Sequence, residues 1–173
     1  MSYRSTLPMA KNKELFKYYT DAIEHMTNYK SALEEFIGND SPSDVNTMDA
    51  YDKVVYFKAK MDLHDIIGKI NAQENNKQVY QDRIDLMMPA FEKLSAEANV
   101  EFDNVVQQAI EIGKENPNNR YSNTIGMILQ GWHSTKEQKL DGTVMQELKN
   151  ETYNSLKTQI EAVKKDTKKL KKA

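Results

Sequence analysis

The stretch from Tyr80 to Ile112 constrains the fold most. Tyr80, Ile84, Met87, Phe91, Leu94, Ala98, Phe102, Val105, Ala109 and Ile112 follow one another at steps of 4, 3, 4, 3, 4, 4, 3, 4 and 3. Steps of three and four place all of these side chains on one side of an α-helix, and no strand has that period. The repeated four near Asn99 resembles a stutter, which locally unwinds a supercoil. Pro89 lies within the stretch but off the stripe. It removes a backbone donor, so the helix is expected to kink or divide there, or at Asn99. Unbroken, the segment would approach about 50 Å; broken, it would allow a more compact bundle.

An earlier segment, NKELFKYYTDAIEHMTNYKSALEEFIG, repeats the pattern. Phe16, Tyr19, Ile23, Met26, Leu33 and Ile37 form its stripe, with Lys30 in the vacant slot. Asn12 is the expected N-cap and Gly38 the expected stop, giving a rod of roughly 39 Å. GNDSPSDVN then holds two start signals, Ser41-Pro42 with Asp44, and Asn46 with Asp49.

The helix that follows, from about residue 46 to the low seventies, carries two adjoining stripes. One is Val54, Phe57, Met61, His64 and Gly68; the other is Val55, Ala59, Leu63, Ile66 and Ile70. Such a wide apolar face suits a helix with more than one neighbour. NAQENNKQ (71–78) breaks both stripes and reads as a loop or frayed turn.

GKENPNNRYSN (113–123) is a loop by composition. TIGMILQGWHSTKEQKL is a short helix with Ile125, Ile128, Leu129 and Trp132 on one side. That register makes Trp132 a core residue. Gly126 and Gly131 weaken the helix but would permit close helix contact. Thr143 with Gln146 reads as a capping box for the last helix, whose stripe is Leu148, Leu156, Ile160, Val163, Thr167 and Leu170.

The six glycines and four prolines are few for a β fold with many turns. The fold expected is therefore all-α: an elongated antiparallel helical bundle, coiled-coil-like, of about five helices. It would form a single domain over residues 1–173, with subdivision at 71–78 and 113–123.

The chemistry that the residues exclude is broad. The chain has no cysteine, which removes disulfides, thiolate metal sites and a cysteine nucleophile. The residues three before His25, His64 and His133 are Ala22, Met61 and Gln130, so the Glu-x-x-His pattern of carboxylate-bridged metal bundles is absent. No His-x-x-x-His pair, EF-hand loop, phosphate-cradling glycine loop or nucleophile elbow occurs. His64 beside Asp62 and Asp65 reads as a boundary histidine before it reads as a tuned acid or base. Neither a cofactor nor an enzymatic activity is expected.

Charge is distributed unevenly. Residues 157–173 hold seven lysines against Glu161 and Asp166, a net of +5, while the whole chain carries −2. The remainder is therefore acidic, at −7. Lys164, Lys165, Lys168, Lys169, Lys171 and Lys172 fall between the stripe positions of the last helix, on its flanks and outer face. They suit the negative end of the helix dipole and read first as a solvated helix end.

As a site, these six lysines would dock an acidic protein surface, the acidic body of another copy included. Nucleic acid is the weaker alternative. Only Arg4, Arg83 and Arg120 are arginine, and arginine does most of the bidentate reading of guanine and phosphate. No apolar signal core or membrane span is visible, so the expected location is the cytoplasm or an assembled virion. The function expected is that of a non-catalytic interaction or structural protein, an adaptor, assembly scaffold or virion component, with protein partners and self-association.

Overall fold

The structure, a computed structural model, describes residues 7–172, with side chains for 7–170. It is all-α, with five helices among the described residues: α1 (Pro8–Ile37), α2 (Pro42–Asn46), α3 (Ala50–Glu115), α4 (Arg120–Lys136) and α5 (Gly142–Lys172). The chain forms two compact units. One gathers the start of α1, up to Lys11, with everything from Asp85 onward; the other is Asn12–Ile84.

In the second unit, α1 packs on the first half of α3. Leu33 and Ile37 of α1, Val45 of α2, and Tyr56, Ala59 and Ile66 of α3 are its buried core, with Met26, Met48, Leu63 and Ile70 around them. Tyr19 stacks on Tyr80 with ring centroids 5.6 Å apart. Gly38 ends α1 at a φ of +61°, the left-handed conformation that glycine adopts without steric cost.

Of the two start signals in the connector, Ser41-Pro42 with Asp44 is used as expected, whereas Asn46 caps nothing: it is the last residue of α2, and α3 begins at Ala50. Ser41 caps α2 and exchanges bonds with Asp44 in a full capping box. The backbone and hydroxyl of Ser41 hold the Asp44 carboxyl below its usual range. Asp49 then caps α3, its carboxylate accepting the Asp52 N–H at 2.8 Å.

In the first unit, the second half of α3 packs with α4 and α5. Ala98, Phe102, Val105 and Ala109 of α3, Ile125 of α4, and Tyr153, Leu156, Ile160 and Val163 of α5 form one buried cluster. Trp132 packs against it, its ring 5.0 Å from that of Phe102, so the core assignment of Trp132 holds. The stripe from Tyr80 to Ile112 is buried or half-buried at all ten positions.

Several boundaries differ from expectation. The segment 71–78 is helical rather than a loop, inside a single α3 of 66 residues. Its polar side chains include good helix formers (Gln73, Glu74, Lys77, Gln78), and a helix lacking an apolar stripe needs only solvent there. Lys77 also lies 5.4 Å from the centroid of the Phe16 ring. Pro89 divides nothing: it stands exposed within α3, and the helix runs through it. Asn99 is not a break either; its side chain bonds Gln146 of α5.

α1 begins at Pro8, one turn before Asn12, with proline at the first helical position. α5 is capped by Asp141, whose Oδ1 accepts from the N–H groups of Thr143 and Val144, each at 3.1 Å. Gln146 instead bonds Asn99 and Asn150. At Gly126 and Gly131 an added Cβ would meet nothing within 4 Å, so neither glycine serves a close helix contact.

Candidate functional site

The lysine-rich end is the last part of α5, which stays helical to Lys172. Val163 is fully buried and Thr167 is half-buried, its hydroxyl bonded to the Val163 carbonyl, so the apolar stripe does continue into the lysine run. It stops before Leu170, which is 76% exposed. Lys164, Lys165, Lys168 and Lys169 are exposed between the stripe positions, while the side chains of Lys171 and Lys172, like Arg4, lie outside the described residues. Lys164 pairs with Glu161 at 3.7 Å.

The structure draws part of this set together with residues of α4. A groove of about 600 Å³ is lined by Arg120, Tyr121, Lys157, Glu161, Lys165 and Lys169, among others. Arg120 is held by Tyr121: its guanidinium donates to the hydroxyl at 2.6 Å and lies 4.6 Å from the ring centroid. Asp166 also lines the groove, 3.4 Å from the Asn119 amide nitrogen. The groove thus mixes four cations with two carboxylates. Lys168 is not among its lining residues.

A second surface lies on α3. Of the two stripes on this helix, one is buried against α1 and the other is exposed. Val54 (68%), Phe57 (53%) and Met61 (71%) are open to solvent, with Tyr51 (77%) beside them. His64 and Gly68 continue the exposed stripe. Their 3, 4, 3, 4 spacing is that of a coiled-coil seam.

Lys53 and Lys60 run along one edge of this stripe and Lys58 along the other. Among the described residues none of the three is in an ion pair. Beside Phe57 opens a hollow of about 500 Å³, lined by Asp40, Pro42, Val45, Tyr56, Phe57 and Lys60. The capping box of α2 builds its far wall, by fixing where Pro42 and Val45 stand.

His25, His64 and His133 are all exposed, and His133 meets Glu137 at 3.5 Å one turn along its own helix. Among the described residues no three His, Asp or Glu side chains are grouped to hold a metal ion. No described helix is long and apolar enough to cross a membrane.

Both α3 stripes are legible in the sequence, but that one of them is left open is not. The signal present was the row of lysines along its edges, which a helix packed on both sides would have to desolvate. The hollow depends on the turn of the chain at Ser41, where the sequence announces a helix start and no more. No protein-family model, curated protein or solved structure matches this chain.

Proposed function

We propose that this chain is a non-catalytic helical interaction protein, an adaptor, assembly scaffold or virion-type structural component, acting through protein–protein contacts that include self-association. The observation that carries this reading is the exposed row Tyr51, Val54, Phe57 and Met61 on α3. Single exposed apolar side chains are ordinary on a protein surface. A contiguous row of four large ones, on one face of a helix and rimmed by charge, marks a surface that another protein covers.

The lysine end supplies a second contact of different character. Its exposed ammonium groups suit an acidic protein surface, and the acidic remainder of another copy offers one. Nucleic acid is the weaker reading of the same residues, because Glu161 and Asp166 stand among the cations of the groove. Phosphate would be repelled by both.

The test compares three proteins: the full chain, the Phe57→Ser/Met61→Ser double variant, and a version lacking residues 164–173. Each is used for cross-linked capture from native lysate with and without nuclease, and for light-scattering mass across concentration. A protein partner or a second copy, lost in either variant, is the expected result. A chain that stays monomeric and captures only nuclease-sensitive material, or nothing, overturns the reading.

A further inference from the structure

We infer that the exposed α3 stripe seats an amphipathic helix with acidic flanks, contributed by a partner protein, with one of its apolar side chains entering the hollow beside Phe57. This rests on the interaction reading above and adds the chemistry of what is bound.

The seat is formed by shape and charge together. Val54, Phe57 and Met61 stand on the side of α3 opposite its buried stripe, so a second helix laid along them would meet a continuous apolar row. Phe57 is turned edge-on to Tyr56, with ring centroids 5.4 Å apart and planes at 78°. Tyr56 itself is buried and forms part of the hollow's lining with Val45 and Pro42. An aromatic or branched aliphatic side chain fits such a lining, since about 500 Å³ is ample for one.

The charge pattern selects the occupant. Lys53, Lys58 and Lys60 surround Phe57 on both sides of the stripe. Lys60 lies 5.8 Å from the centroid of the Tyr56 ring, which places its ammonium at the rim of the hollow. Among the described residues no acid is in an ion pair with any of the three. Asp65, further along, is engaged by Lys69 at 3.0 Å. Asp40 lines the hollow together with Lys60.

A second copy laid antiparallel with its Phe57 near this one would bring Lys58 against its own counterpart and Lys60 against the Lys53 of the other copy, and like charges opposed in this way disfavour that pairing. A helix with glutamates beside its apolar stripe meets the same lysines favourably. Such rim pairs are screened over about 8 Å at physiological ionic strength, so the preference for acid should weaken with salt while the apolar part persists.

The experiment uses the full chain and two stapled helical peptides of about 20 residues, alike in their apolar stripe of Leu and Phe and differing in flanks of Glu or of Lys. Binding is read by fluorescence anisotropy, with thermal melts by circular dichroism to show that each variant folds. The Glu-flanked peptide should bind at least about tenfold more tightly than the Lys-flanked one. Phe57→Ser should weaken it about tenfold or more. Lys58→Glu/Lys60→Glu, which keeps the apolar row, should invert the preference.

Equal binding of the two peptides, or binding indifferent to Phe57→Ser, overturns the proposal. If neither peptide binds and light scattering shows a dimer that Phe57→Ser dissolves, the occupant is a second copy; the acidic-helix proposal then fails while the interaction reading stands. If neither peptide binds and the chain is a monomer with no captured partner, both fail.

Discussion

The carboxylate of Glu147, on α5, accepts the backbone N–H of Met9 at 2.7 Å, at the first turn of α1. Its other oxygen accepts the Ala10 N–H at 3.0 Å. The first N–H groups of any helix have no partner within it, and here a side chain 138 positions away supplies one. The pair is buried: Met9 is fully enclosed, Glu147 is 6% exposed, and Leu7, Ala10 and Val144 close around them. A negative charge at the positive end of the α1 dipole adds to the hydrogen bonds.

Glu147→Ala should therefore destabilise the first unit. It leaves two buried N–H donors without an acceptor, each costing about 1–3 kcal/mol. Glu147→Gln keeps one acceptor and turns an amide NH₂ toward the other donor, so it should cost less than alanine but remain destabilising. Urea unfolding measures the loss. Hydrogen exchange should show Met9 and Ala10 amides exchanging faster in both variants, with the Leu33 region of α1 unchanged.

The Glu97 carboxylate ties α3 to α5 through two donors, the Tyr153 hydroxyl at 2.6 Å and the Lys157 ammonium at 3.0 Å. The Tyr153 hydrogen bond, and after it the Lys157 hydrogen bond and charge, hold the Glu97 carboxyl below its ordinary value. Burial, then the bond to Glu97, raises the Tyr153 hydroxyl, while the bond to Glu97 is the main cause that raises Lys157.

A lowered carboxyl contributes stability above its unfolded value, about 4.3, and loses it as pH falls through the folded one. The raised tyrosine and lysine contribute below about 10 and lose that contribution as pH rises through their folded values. Stability from this trio should thus be flat at neutral pH and fall at both ends. Glu97→Gln should flatten both limbs of a plot of urea midpoint against pH. Both limbs unchanged in the variant would show that the trio adds nothing.

Glu151 behaves in the opposite sense. Burial, and then the charge of Glu147 one turn earlier, raise its carboxyl above the ordinary value. A raised carboxyl favours the protonated state on folding, so ionising it at neutral pH works against the fold. Glu151→Gln should increase the urea midpoint slightly at pH 7 and have no effect near pH 3, where both states are protonated.

How much of this was legible in the sequence depends on the distance between cause and effect. The apolar stripes placed the core helices, because a period of three and four is local and Phe102, Val105 or Leu156 need no distant partner to announce a buried face. Gly38 and the Ser41–Asp44 box were legible for the same reason. The start of α1 was not, since its cap is Glu147, far along the chain. Residues 71–78 misled because polarity signals exposure, and an exposed helix is as polar as a loop. For the candidate sites, the lysine run was visible, but its grouping with Arg120 and Tyr121 required the α4–α5 packing.

Pro89 tests whether α3 is continuous by demand of its neighbours. It sits exposed inside the helix, with no N–H to give to the preceding turn. A proline in a helix interior is disfavoured by about 3 kcal/mol relative to alanine, although a protein that has accommodated one recovers part of that on replacement. Pro89→Ala should therefore stabilise the chain by about 1–2 kcal/mol, read as a raised urea midpoint with an unchanged slope. A destabilised variant would show instead that the helix uses the proline to set its local course.

Gly126 and Gly131 provide the complementary test on α4. Both are interior to the helix, and an alanine methyl at either would meet no atom within 4 Å. The only consequence left is the backbone: alanine restricts the unfolded chain and favours helical angles. Each single substitution should stabilise by about 0.5–1 kcal/mol. The two sites are five residues apart, more than a full turn, with no shared neighbour, so the double variant should be additive. A loss of stability at either site would overturn this account, since it would require the added methyl to meet atoms that the open space around Gly126 and Gly131 does not hold.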